Sequence, residues 1–329
     1  MIKDEVLKSF AGKNVLITGG TGLIGRQIVP ILHDAGARLT VVSLDDMTVH
    51  AGVPHIKGDL RDYGFCLEVM KDRDFVFHLA GIKGSITMTV EKPASHFVPA
   101  LMFNTNVLEA ARVNRVAKLV FTSSIGAYAQ TDFFTEKTGE EGVPMDFYGG
   151  WAKRMAEYQI QTYRIQYKME NFAIVRPCNV YGPGDNFDPE NAMVIPSLMY
   201  RIFRGEDPLV VWGDGSAVRD FAFSRDVAEG CILALYHGTP GGYVNLGSGQ
   251  GVTIRELVET LSSFLTFNYR FDPTKPAGFP KRVMDISLAR ETIAYHPSTP
   301  LLAGLEETWA WFQDNRNEYL KKQNYWKES

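Results

Sequence analysis

The chain has 329 residues, 45% of them apolar, and a formal charge of −4. It can bury a large core as one big domain or as two lobes, and it offers no basic footprint for nucleic acid. Cys66, Cys178 and Cys231 are odd in number and far apart, which excludes a disulfide framework and metal-ligand spacing and suits a reducing compartment. No signal-like apolar run follows Met1-Ile2-Lys3-Asp4-Glu5, and no stretch reaches transmembrane length. The expectation is a soluble, cytoplasmic protein with no membrane, metal or nucleic-acid partner.

The first element is an apolar run, Asn14–Thr18, which reads as a strand. It enters the turn Gly19-Gly20-Thr21-Gly22-Leu23-Ile24-Gly25 and then an amphipathic segment over 23–35. Gly19, Gly22 and Gly25 allow a tight turn, close approach of backbone N–H groups to phosphate, and close helix–strand packing, so the spacing predicts a pyrophosphate cradle at a helix N-terminus. Walker A chemistry is excluded, because no Lys-Ser or Lys-Thr follows. Gly36 closes the helix, and Arg38–Ser43 reads as the second strand. Further apolar, β-branched runs fall at 75–79, 118–122 and 172–175, separated by helical patterns that include 96–116 and 151–167. Strands alternating with helices predict an α/β fold with a doubly wound parallel sheet.

After Arg176-Pro177 the pattern changes to Gly- and Pro-rich loops and shorter elements. The expected division is a dinucleotide-binding lobe over 1–177 and a smaller α/β substrate lobe over 178–329, with some segments returning to the first. Thr253 and Glu256 have capping-box spacing at the start of a helix over 254–265; 267–271 reads as a strand and Leu301–Tyr319 as a closing helix. The two long helices carry apolar residues on several faces, among them Leu101, Phe103, Leu108, Trp151, Ile160 and Tyr163. That pattern predicts a homodimer interface.

The glycine turn, Gly58-Asp59-Leu60-Arg61-Asp62, His78-Leu79-Ala80-Gly81, Phe121-Thr122-Ser123-Ser124, Trp151-Ala152-Lys153-Arg154, residues 176–183, Val218-Arg219-Asp220-Phe221 and residues 282–287 occur in this order. Together they resemble the extended short-chain dehydrogenases that modify nucleotide sugars. Asp185-Asn186-Phe187 and residues 194–198 are most similar to the branch containing GDP-fucose synthase. The resemblance implies a Rossmann-type lobe, a nicotinamide cofactor and a nucleotide-diphosphate sugar, with a lean toward a guanine nucleotide.

Under that resemblance Gly19, Gly22, Leu23, Ile24 and Gly25 hold the cofactor diphosphate. Ser43 and Asp45 sit at the ribose, and Asp59 and Leu60 at the adenine. Leu79, Ala80, Gly81, Thr122, Lys153 and Pro177 line the nicotinamide path. An acidic residue at the end of the second strand repels a 2′-phosphate, and no arginine follows there, so NAD is favoured with NADP left open. Lys83, Ser123, Ser124, Gly149, Asn179, Val194, Arg219 and Arg282 are implied at the substrate, the two arginines on its diphosphate.

The family chemistry removes an alcohol proton with a tyrosine whose pKa a nearby lysine lowers, while a serine orients the same oxygen. Ser124 and Lys153 fit the serine and the lysine. The tyrosine departs from the pattern. Position 149, four before Lys153, is glycine, and Tyr148 is five before it, about 140° away on a regular helix. Three readings stay open: a one-residue insertion absorbed by a bulge or by the helix start, which makes Tyr148 the base; a tyrosine replaced by Gly149; or an enzyme without this base. Ile125 and Gly126 stand where dehydratases and decarboxylases carry acids, and Gly126 and Gly184 stand where a 3,5-epimerase carries Cys and His. What survives is hydride transfer at sugar C4, as a 4-epimerase or 4-dehydrogenase. The rivals are an NADPH-dependent 4-ketosugar reductase and a non-catalytic dinucleotide-binding regulator.

Overall fold

The computed structural model describes residues 2–82 and 91–319. Seven strands form one sheet: β1 (Asn14–Thr18), β2 (Arg38–Ser43), β3 (His55–Lys57), β4 (Phe75–His78), β5 (Lys118–Thr122), β6 (Phe172–Pro177) and β7 (Val244–Leu246). Their order is β7-β6-β5-β4-β1-β2-β3, and every pairing is parallel. Strands buried on both faces need near-continuous apolar runs, and β1, β4 and β5 supply them. The chain order reverses between β1 and β4, which opens a crevice at the carboxyl ends of those strands.

Helices flank the sheet in two groups. α1 (Gly25–Asp34) packs on α5 (Ser224–His237), while α2 (Tyr63–Val69), α3 (Pro93–Val113) and α4 (Phe147–Tyr167) pack in series. α3 begins three residues and α4 four residues ahead of the sequence expectation. Pro93 stands at the start of α3, where its missing N–H costs nothing, and α4 opens directly after Asp146. β3 and β7, three residues each, are too short to show a periodic signal.

The remaining strands build a second region. Its four-stranded sheet runs Val252–Thr253, Val218–Arg219, Lys281–Met284, Phe133–Phe134. Phe187, Leu198, Leu257, Leu305 and Phe312 belong to a separate buried cluster there. The expected capping box is formed, with Thr253 accepting from the Glu256 N–H at 3.0 Å and opening a helix over Ile254–Ser262. The expected strand near 267 starts at Tyr269, and the closing helix spans Leu301–Tyr319.

The apolar residues expected to make the two long helices sticky are mostly internal. Phe103, Leu108, Ile160 and Tyr163 are buried between α3, α4 and the sheet. The outward apolar side chains are others: Val98 and Met102 on α3, Met155 and Ile165 on α4.

Candidate active site

The β1–α1 turn is built around contacts that only glycine allows. Gly19 has φ +68°, and a Cβ there would stand 2.8 Å from the Ala80 backbone; at Gly25 it would stand 2.5 Å from Gly20 Cα. α1 starts with no side-chain cap, and its Arg26 and Gln27 N–H groups donate to the Gly22 and Ile24 carbonyls at 3.0 Å. An uncapped N-terminus behind a glycine turn is the form that a phosphate completes. The residues present therefore fit a dinucleotide.

A cleft of about 1460 Å³ runs from this turn past the ends of β2, β4, β5 and β6 into the second region. Gly19, Gly22, Leu23, Ile24 and Gly25 form one end of its wall, with Ser43 and Asp45 beside them and Asp59 and Leu60 opposite. Leu79, Ala80, Gly81, Thr122 and Pro177 line the middle. Ser124, Gly149, Lys153, Asn179, Val194 and Arg282 line the way to the far end. One fold thus brings nearly all the expected residues to one cavity.

Several side chains there are already engaged. Asp45 accepts from Thr21 Oγ1 at 2.6 Å, tying β2 to the glycine turn, and Ser43 Oγ lies 2.8 Å from His55 Nε2. Asp59 accepts from Arg61 Nε at 2.8 Å; burial pushes its carboxyl up, and the Arg61 bonds outweigh that and hold it below the ordinary range. Arg61 lines this wall too, so the cleft near β2 holds an arginine that the sequence directly after β2 does not offer.

At the centre, Lys153 Nζ donates to the Thr122 carbonyl at 2.7 Å. Burial lowers the ammonium to about 8, with the Glu157 charge opposing. Ser124 caps the short turn after β5, accepting the Gly126 N–H at 3.0 Å. Ser123 lines the cleft but is only 4% exposed. Its hydroxyl donates to Glu157, which also pairs with Arg176 at 2.6 Å, so it braces that ion pair.

Tyr148 also lines the cleft. α4 runs without interruption from Phe147, so no bulge moves Tyr148 to the place four before Lys153, and Tyr148 sits in the first turn of the helix. Its ring is 41% exposed and rests edge-on against Phe97 and Phe147. Gly149 holds the place four before Lys153. The side chain next to that place is His96 from α3, which the sequence reading missed because a single histidine in a helix carries no spacing signal.

Arg282 reaches the cleft with its guanidinium 4.4 Å from the Phe279 ring. The residue is 8% exposed, and its Nε and Nη2 have no hydrogen-bond partner among the described residues. Arg219 stands beside it in the strand register but bends back, donating to the Val218 carbonyl at 2.8 Å and to that of Ala277 at 3.3 Å; it is not on the cleft wall. Asn179 gives its amide to the Asp220 carbonyl at 2.9 Å. Lys83 lies outside the described residues. Among the described residues no His/Cys/Asp/Glu group is arranged to hold a metal, and no helix is long and apolar enough to cross a membrane.

A parallel doubly wound sheet with this turn, a serine just after β5 and a lysine on α4 bonded to the end of β5 defines a nicotinamide-dinucleotide enzyme of the α/β class. More particularly, the chain belongs to the NAD dependent epimerase/dehydratase family, whose sequence pattern matches residues 15–247. It is 32% identical over 317 residues to the probable GDP-L-fucose synthase 1 of Oryza sativa subsp. japonica, covering 92% of this chain and 93% of that protein. It is similar to the UDP-glucose 4-epimerase of Thermotoga maritima solved with UDP-glucose, with TM-score 0.81, 27% identity and coverage of 92% and 99%. The GDP-L-fucose synthetase of Naegleria fowleri bound to NADP superposes with TM-score 0.80 at 25% identity over 93% and 94%. The family expected from the sequence is the family found.

Proposed function

We propose that the protein is a nucleotide-sugar oxidoreductase working at sugar C4, as a 4-epimerase or 4-dehydrogenase, with NAD as cofactor and a GDP-sugar as the favoured substrate. The observation that carries it is Arg282, a buried cation with unpartnered donors in the same cleft as the glycine turn and Lys153. Such a group needs an anion, and a sugar nucleotide's diphosphate supplies one within a charge-assisted fork. The relatives named for UDP-glucose and GDP-L-fucose chemistry support the same reading.

A bound nicotinamide dinucleotide would supply the hydride acceptor for an alcohol carbon. The chain's own part is positional and electrostatic. The glycine turn and the α1 N-terminus hold the cofactor diphosphate, Lys153 places positive charge at the nicotinamide end, and Ser124 presents a hydroxyl to the reacting oxygen. Residues 1–177 with α5 and β7 hold the dinucleotide in this reading, and the remainder holds the nucleotide sugar. The exposed apolar faces of α3 and α4 pair two copies in a homodimer, and the three buried free cysteines suit the cytoplasm.

A second reading is an NADPH-dependent 4-ketosugar reductase. Arg61 at the adenosine wall favours it, since a 2′-phosphate takes a guanidinium partner. Thermal shifts with NAD(H) and NADP(H), followed by cofactor reduction on adding GDP-mannose, UDP-glucose or dTDP-glucose, test both. A larger shift with NAD(H) and reduction by one of these sugars is expected. A larger shift with NADP(H) selects the reductase, and a protein that binds dinucleotide yet ignores every nucleotide sugar is the silent regulator.

A further inference from the structure

We propose that Asp146 decides which sugars the site takes: its carboxylate accepts from the hydroxyls of a neutral hexose and repels nucleotide sugars whose C6 is a carboxylate. The inference rests on the reading of the chain as a nucleotide-sugar enzyme working at C4.

An aspartate just ahead of a helix ordinarily accepts from that helix's first N–H groups. Asp146 precedes α4 and makes no such bond. Its side chain lies over Gly126 instead, in the turn after β5, and it lines the cleft. Backbone contacts fix it there. The Asp146 N–H donates to the Gly126 carbonyl at 3.3 Å, and the Asp146 carbonyl accepts from the Gly150 N–H at 2.5 Å. Glycine at 126 leaves the room. A Cβ there would run into the carboxylate, with Asp146 Cγ at 2.9 Å and Cβ at 3.0 Å.

Five carboxylates line the cleft, and four of them are engaged. Asp45 accepts from Thr21, Asp59 from Arg61, Asp185 from the Asn186 N–H and Asp188 from Asn191. Asp146 is exposed, and its carboxylate is bonded to no donor and paired with no cation among the described residues. Water serves it while the cleft is open. A ligand that displaces this water must bring donors of its own, because a desolvated carboxylate without them is costly.

The position suits a sugar ring. Ser124, offered to the reacting oxygen, accepts the Gly126 N–H at 3.0 Å, so Ser124 and Asp146 adjoin the same glycine. Burial lowers the Arg282 guanidinium and the Asp146 charge opposes it, so the carboxylate also acts on the group assigned to the diphosphate. A hexose bridges those two assignments, with C1 on the diphosphate and C4 at Ser124, and its C6 is two bonds from C4. Hydroxyls on the ring and on C6 are donors, and hydrogen bonds to an ionised acceptor are the stronger kind. A C6 carboxylate offers no donor and sets a like charge beside Asp146.

Calorimetry on wild type, Asp146→Asn and Gly126→Ala tests this with two pairs, UDP-glucose against UDP-glucuronic acid and GDP-mannose against GDP-mannuronic acid. The nucleotide is common within a pair, so any effect of Asp146 on Arg282 cancels in the ratio of affinities. Wild type should bind the neutral sugar at least about tenfold more tightly, the scale of one charge–charge contact at a partly solvated site. Asp146→Asn keeps an acceptor without the charge and should bring the ratio close to unity, mainly through tighter binding of the acidic sugar. Gly126→Ala displaces the carboxylate, and with NAD binding retained it should lower the ratio as well. A wild type that binds both members of a pair equally, or a ratio untouched by Asp146→Asn, overturns the proposal, while binding of the neutral sugar leaves the C4 reading standing. A wild type that binds NAD and no sugar of either pair sinks that reading and this inference together.

Discussion

Arg219 and Arg282 face each other in the parallel register of two short strands, and only Arg282 reaches the cleft. Burial, with the Arg282 charge added, lowers the Arg219 guanidinium to about 10. Two like charges side by side, Arg282 buried and Arg219 half-buried, are unfavourable until an anion arrives. Arg282→Ala should therefore weaken GDP or UDP binding by about 1.5–3 kcal/mol, the scale of a charged hydrogen bond. NAD binding should stay nearly unchanged. Calorimetry showing equal losses for both ligands would put Arg282 at the cofactor end.

Glu157 and Arg176 are 3% and 0% exposed and meet at 2.6 Å under the strand ends. The guanidinium also donates to the Gly139 carbonyl at 3.0 Å and lies 3.7 Å from the Tyr243 ring centre. Removing one partner leaves a buried charge uncompensated, so Glu157→Ala should cost about 3–5 kcal/mol in urea unfolding. A loss under about 1 kcal/mol, the scale of an exposed pair, would mean that the ion pair is hydrated.

Lys153 offers a pH test. Its ammonium is lowered from 10.5 to about 8 in the folded chain, so the folded state binds fewer protons than the unfolded state between those values. Stability from this group must rise with pH across that window, because a penalty present below pH 8 is relieved as the folded lysine discharges. Lys153→Met lacks the penalty, so its advantage over wild type in chemical denaturation should shrink from pH 8 to pH 10.5. An advantage independent of pH would show an ordinary, solvated lysine.

The outward face of α3 and α4 predicts the assembly. Met155 is 52% and Ile165 73% exposed, and Val98 and Met102 stand on the neighbouring helix. Light scattering at micromolar concentration should give a dimer mass, and Met155→Lys/Ile165→Asp should shift it toward monomer without lowering the unfolding midpoint of the monomer. A monomer mass for wild type would reassign that face.

The fold was legible where the signal is local and repeated. β1, β2 and β5, the glycine turn and the Thr253 capping box each announce themselves through apolar runs or residue spacing. β3 and β7 were not, since three residues hold no period and owe their place to neighbours in the sheet. At the site, motif residues such as Lys153 and Arg282 lie in the cleft, whereas the bond that engages the Ser123 hydroxyl comes from a glutamate 34 residues away and has no sequence signal. The gap at Gly149 was visible as an absence, but what fills it comes from another helix, and side chains brought together by tertiary packing leave no mark on spacing.

The sheet is completed from far along the chain. β6 ends at Pro177, yet the strand that covers its outer edge is β7, Val244–Leu246. During synthesis the first six strands emerge with an open, unpaired rim, and that rim stays exposed until residue 246 has left the ribosome. The intervening region must therefore be made, and loop out, before the nucleotide-binding half can close. A truncation at 177 should not yield a miniature binding domain but an aggregating fragment, and the order in which the two halves mature is written into the threading of one short strand.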